Sequence, residues 1–144
     1  MRAKLLVVLV VGLLAAAEQK DDAKKEQDKL QGTWAAVEGG PPGGQLTFAG
    51  DKFTIRDTKE NKDVAKGTFK VDPSKKPKTI DMTVTEDSEG GKYKGKTSLG
   101  IYELDGDQLK WCANEPGKTE RPKEFVKEAS GDRYLLITFK RHKP

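Results

Sequence analysis

The chain has 144 residues, 27 basic and 23 acidic, with one histidine and one cysteine. This near balance of charge excludes a surface built for polyanions. One cysteine excludes an intrachain disulfide, and one cysteine with one histidine falls short of a zinc ligand set. The length suits a single domain that buries a core without staples.

Met1 to Ala17 reads as a signal peptide. Arg2 and Lys4 supply the positive start. Leu5 to Leu14 is an apolar run of about ten residues, against the roughly twenty that span a bilayer. Ala15-Ala16-Ala17 offers the small residues of a cleavage site, so cleavage is expected between Ala17 and Glu18. An uncleaved membrane anchor is the alternative; a lipoprotein anchor lacks its cysteine. Cleavage takes Arg2 and Lys4 from the 27 basic residues and leaves 25 against 23 acidic. The expected product is exported to the periplasm, cell surface or medium, with no stable membrane insertion.

Residues 18–31 are almost wholly charged or amide, with only Ala23 and Leu30 apolar. They read as a tether that becomes helical near Asp28 to Gln31, where Leu30 can plug one end of the domain. Asp21 and Lys25, four apart, add weak helical support.

From Gly32 the period of the apolar residues changes to two. Thr33 to Glu38 is a first strand around Trp34, and Gly39 to Gly44 is a Gly-Pro break. Gln45 to Ala49 presents Leu46 and Phe48 on one face; Gly50-Asp51 turns into Lys52 to Arg56, with Phe53 and Ile55. Val64 to Asp72 carries Gly67, Phe69 and Val71, and a glycine in mid-strand predicts a bulge or bend. Thr79 to Thr85 alternates Ile80, Met82 and Val84 with polar neighbours. Lys92 to Leu104 is expected to be a long strand region, with Lys92, Lys94 and Lys96 on the solvated side of a hairpin. Asp105-Gly106-Asp107 is a tight turn into Gln108 to Ala113, where Leu109 and Trp111 share a face. Arg121-Pro122 begins a segment toward Phe125. Arg133 to Arg141 is the last strand, with Leu135, Ile137 and Phe139.

About eight or nine short strands at this spacing predict an all-β antiparallel barrel or sandwich, each strand with one buried and one wet face. The boundaries are residues 1–17 leader, 18–31 tether and short helix, 32–141 barrel, and 142–144 tail.

The motifs carry a resemblance. Gly32-Thr33-Trp34 after a helical lead-in resembles the Gly-x-Trp opening of lipocalin and calycin barrels. In order along the chain follow Pro77-Lys78-Thr79-Ile80-Asp81, Gly100 to Cys112, and Arg121-Pro122-Lys123-Glu124-Phe125. Over residues 28–141 the combination resembles a lipocalin-like family of small exported domains, abundant in planctomycete bacteria and without established activity. The resemblance implies an eight-stranded up-and-down barrel with an interior cavity. It gives Gly32 and Trp34 structural roles at the closed end, with a basic side chain from the last strand, Lys140 or Arg141, covering the indole. It brings no catalytic residues.

No catalytic or metal motif stands out. His142 is three residues from the end, and there is no G-x-S-x-G, P-loop or dinucleotide fingerprint. Asp105 and Asp107 read as turn residues before calcium ligands, and Asp81, Glu103 and Asp105 show no spacing that selects a glycosidase pair. The expectation is therefore no enzyme, no cofactor and no nucleic-acid partner. A monomeric barrel that holds a small apolar ligand is expected, lined by Phe48, Phe53, Phe69, Met82, Tyr102 and Trp111. The same side chains serve equally as a filled core, in which case the domain is a structural or interaction module. Arg121, fixed by Pro122, can hold a ligand carboxylate at the barrel mouth or lock a loop against Asp81 or Asp107. Cys112 reads as buried in a strand.

Overall fold

The computed structural model describes residues 20–129 and 131–143. The leader reading for residues 1–17, the first two residues of the tether and Pro144 lie outside them.

A helix over residues 20–30 leads into the strands. The chain then runs through β1 (Gly32–Glu38), β2 (Gly44–Ala49), β3 (Lys52–Asp57), β4 (Lys62–Asp72) and β5 (Lys78–Asp87). It continues with β6 (Thr97–Asp105), β7 (Gln108–Ala113), a two-residue ribbon of β8 (Glu128–Ala129) and β9 (Asp132–Arg133), and β10 (Leu135–Arg141). Strands β1 to β7 each pair antiparallel with the next, and β10 closes the ring between β7 and β1. The result is a closed eight-stranded up-and-down barrel, and closure leaves no strand edge unpaired.

The period-two pattern sets which side chains fill it. Leu46, Phe48, Phe53, Phe69, Ile80, Met82, Leu109 and Phe139 are all buried and belong to one cluster. The Phe48 and Phe69 rings meet at 4.5 Å between centroids. The glycine in mid-strand does produce a bulge: the β4–β5 register shifts between Lys66 and Gly67.

Three local expectations are corrected. The helix is already formed at residue 20, the first described residue and well before Asp28, because it is amphipathic in a way its composition conceals. Ala23, Glu26, Gln27 and Leu30 recur at helical spacing and are the residues it buries or half-buries, while Lys24 and Asp28 pair outside at 3.1 Å.

Lys92 to Lys96 is a turn, so β6 begins at Thr97. Asp87 organises that turn by accepting backbone N–H bonds from Glu89, Gly91 and Tyr93, at 2.9, 2.9 and 2.8 Å. Those bonds, led by the one from Tyr93, hold its carboxyl below the ordinary range. Gly95 supplies a positive φ of 83°.

Finally, β6 and β7 are buried on both faces around Ile101 and Cys112. Residues 121–126 cross their outer side, where they cover Ile101 and Cys112 and bury Pro122. The Cys112 thiol donates to Val126 O at 3.2 Å, and burial raises its pKa, so it is a packed, unreactive sulfur.

The barrel's two ends differ. At one end the helix is the stopper: Leu30 and Trp34 are 0 % exposed. Trp34 Nε1 donates to Leu30 O at 2.8 Å. Arg141, rather than Lys140, covers the indole, with its guanidinium 4.2 Å from the ring centroid. The same guanidinium donates to Gln31 O and Lys29 O at 2.8 and 2.9 Å, which satisfies carbonyls at the helix C-terminus. Gly32 makes the bend out of the helix at φ 113°, a conformation side-chain-bearing residues rarely adopt. Glu26 is buried under the barrel and pairs with Lys78 at 2.8 Å.

Candidate functional site

The opposite end is open. A cavity of about 580 Å³ enters the barrel there. Its floor and walls are apolar: Leu46, Phe53, Met82, Trp111 and Phe139 come from five different strands, with Ile55, Val84 and Ile137 beside them. Around the mouth stand Pro41 from the Gly-Pro break, Tyr93 from the 88–96 turn, and Tyr134 and Leu135 where β10 begins. The turn is latched across the mouth, since the Tyr93 hydroxyl donates to Glu115 Oε1 at 2.8 Å.

Small residues make the hollow. Ala36 and Ala65 sit in the wall where larger side chains would fill it. Gly67 brings β4 close to β5, because a Cβ there would stand 1.8 Å from Thr83 O. Gly100 leaves room for the Trp111 ring, because a Cβ there would stand 3.2 Å from Nε1. Volumes of roughly 300–1,000 Å³ are typical of small-molecule sites.

Of the residues expected to line a ligand site, Phe53, Met82 and Trp111 do so. Phe48, Phe69 and Tyr102 are buried in the core cluster and do not reach the cavity. They fill the half of the barrel nearer the helix. Tyr102 packs toward Glu26; burial first, then that carboxylate, push its phenol far above the ordinary range.

Arg121 is outside the barrel altogether. It borders a shallower hollow of about 720 Å³ on the outer wall, with Lys70, Lys75, Lys76 and Lys123 nearby. There its Nη1 donates to Gly100 O at 2.8 Å and its Nη2 meets Asp81 Oδ1 at 2.7 Å. The second contact is an ion pair by distance without the alignment of a full hydrogen bond. Arg121 thus fastens the crossing segment 121–126 to β5 and β6. Arg121→Gln is expected to cost about 1–2 kcal/mol, read as a Tm lowered by several degrees in a thermal melt. An unchanged Tm would release Arg121 from this structural role.

Several lining residues escape sequence reasoning. Ala36, Ala65, Tyr93 and Tyr134 become neighbours only on closure of the ring. The one available signal was the Gly-Pro break, which marks the mouth end.

Two buried groups inside the barrel have no hydrogen-bond partner among the described residues: Tyr102 Oη and Trp111 Nε1. The polar side chain beside the cavity that is fully used is Asn114. It donates to Glu120 O and Asp132 Oδ2, and accepts from Glu115 N, which ties the 114–132 excursion to the mouth.

No family model, curated protein or solved structure matches this chain significantly. The architecture, a closed eight-stranded antiparallel barrel behind a short helix, is compatible with a lipocalin-like fold.

Proposed function

We propose that this chain is an exported, lipocalin-like binding domain that takes a small apolar molecule into its barrel. The observation that carries the reading is the apolar cavity of about 580 Å³, open at one end and stoppered at the other. Such a cavity favours guests by removing apolar surface from water, at roughly 25 cal/mol per Å². A barrel filled with side chains, as an interaction module would have, leaves no such space.

Membership of the planctomycete lipocalin-like family rests on the motifs between residues 28 and 141, and export rests on residues 1–17. The proposal includes no catalytic step. The one histidine, His142, stands at the closed end, where its backbone N–H meets Thr33 O at 2.8 Å, and the cavity's side chains are mostly apolar, with the carboxylates Asp87, Glu89 and Glu115 also on its lining. A monomer suffices, because one barrel encloses the whole site.

Native mass spectra of the full chain, purified from an exporting host, test the reading. The expected result is a reproducible added mass that is lost on denaturation, or uptake of the neutral dye N-phenyl-1-naphthylamine with a blue-shifted emission. A clean mass together with no dye uptake would overturn it in favour of an interaction module.

A further inference from the structure

The cavity wall is incomplete at one point. Trp111 stands in that wall on β7, 6 % exposed, and its Nε1–H donates to nothing among the described residues. Buried indole N–H groups ordinarily find an acceptor. The chain's other tryptophan does so, through Leu30 O at 2.8 Å.

The cavity that Trp111 lines also carries polar side chains and three carboxylates, Asp87, Glu89 and Glu115. Ser98 also lines the cavity from β6, the strand paired with β7. Its hydroxyl donates to Asn114 O at 2.7 Å, which leaves lone pairs on its oxygen. Among the described residues that line it the one cation is Arg133, exposed at the mouth. An anionic group brought to Trp111 would therefore lose its hydration without gaining a counter-charge, which is strongly unfavourable. A pure hydrocarbon would leave the indole N–H as it is.

We propose that the barrel's ligand is an apolar molecule bearing one uncharged acceptor oxygen, a carbonyl or hydroxyl, that receives the Trp111 Nε1–H. The inference rests on the binding reading above and adds the polar group by which the guest is chosen. Trp111 then acts as selector as well as wall, because the wrong guest leaves a buried donor unpaired.

The test uses a matched pair of probes, benzophenone and 1,1-diphenylethylene, which differ only by exchange of C=O for C=CH2. Each is titrated into the ¹⁵N-labelled full chain while both indole N–H signals are followed. The ketone is expected to bind roughly 5- to 30-fold more tightly. The Trp111 indole signal should move downfield to saturation, with the Trp34 signal stationary. In Trp111→Phe, whatever the overall affinity for the two probes, the ketone's advantage over the hydrocarbon should fall to about twofold or less. The wild-type comparison stands without that variant. Equal affinities with a stationary Trp111 signal would overturn the assignment and leave the cavity reading intact. Failure of both probes to enter the barrel would overturn the two together.

Discussion

Gly67→Ala is expected to destabilise the barrel by about 3 kcal/mol or more, at the upper end of the cost of overpacking a core. The added methyl would lie 1.8 Å from Thr83 O and 2.7 Å from Phe53 Cε1. The first contact is with backbone, so no rotamer change relieves it. Relief requires β4 to move away from β5 at the bulge between Lys66 and Gly67, which breaks ladder hydrogen bonds. The Tm should fall by roughly 10 °C. Gly50→Ala is the informative control. Nothing lies within 4 Å of a Cβ there, and only the φ of 63° resists the change, for about 1 kcal/mol. If the two variants melt together, the tight approach of β4 to β5 does not govern stability. Because Phe53 lines the cavity, any Gly67→Ala protein that folds should also bind apolar probes more weakly.

Trp34→Ala is expected to cost about 3–5 kcal/mol, the range for removing a large aromatic from a core. Trp34 is 0 % exposed and joins three parts of the closed end. Its ring carries Arg141, its N–H holds Leu30 O, and its strand pairs with both β2 and β10. Truncation opens a void under the helix and leaves a buried carbonyl without its donor. It also removes the platform from a guanidinium that ties the helix C-terminus to the last strand. Urea unfolding measures the loss as a lower midpoint at unchanged slope. Under conditions where the variant is folded, its affinity for apolar probes should match the wild type, because Trp34 is not among the cavity's lining residues. A loss of unfolding free energy below about 1 kcal/mol would mean that the helix seals the barrel without this indole.

Much of the fold was legible in the chain because strand pairing imposes a period of two. The alternation at Leu46 and Phe48, or at Ile80, Met82 and Val84, marks an inward face whatever the partner strand is. The bulge at Gly67 and the turn at Gly106 were likewise legible, because backbone that must pass close or turn tightly asks for glycine locally. The helix and β6 were misjudged at their starts for one shared reason. Glu26 and Asp87 are polar residues whose structural partners, Lys78 and the amides of the 88–96 turn, are set by folded contacts that hydropathy does not register.

The sequence by itself determined a small all-β chain and its inward faces, because these follow from local spacing and backbone geometry, while the place of Trp34 at the closed end was only what the resemblance of Gly32-Thr33-Trp34 to the calycin opening implied. Tertiary structure alone decided which inward residues face a void and which fill it. Phe53 and Trp111 line the cavity while Phe48 and Tyr102 lie in the packed half, although all four alternate in the same way. It also decided that Arg141 covers Trp34, and that Arg121 braces the outer wall. The reason is physical: period two specifies the side of the sheet, whereas the height of a residue along the barrel depends on the stagger of strands distant in sequence, and that stagger exists only once the ring has closed.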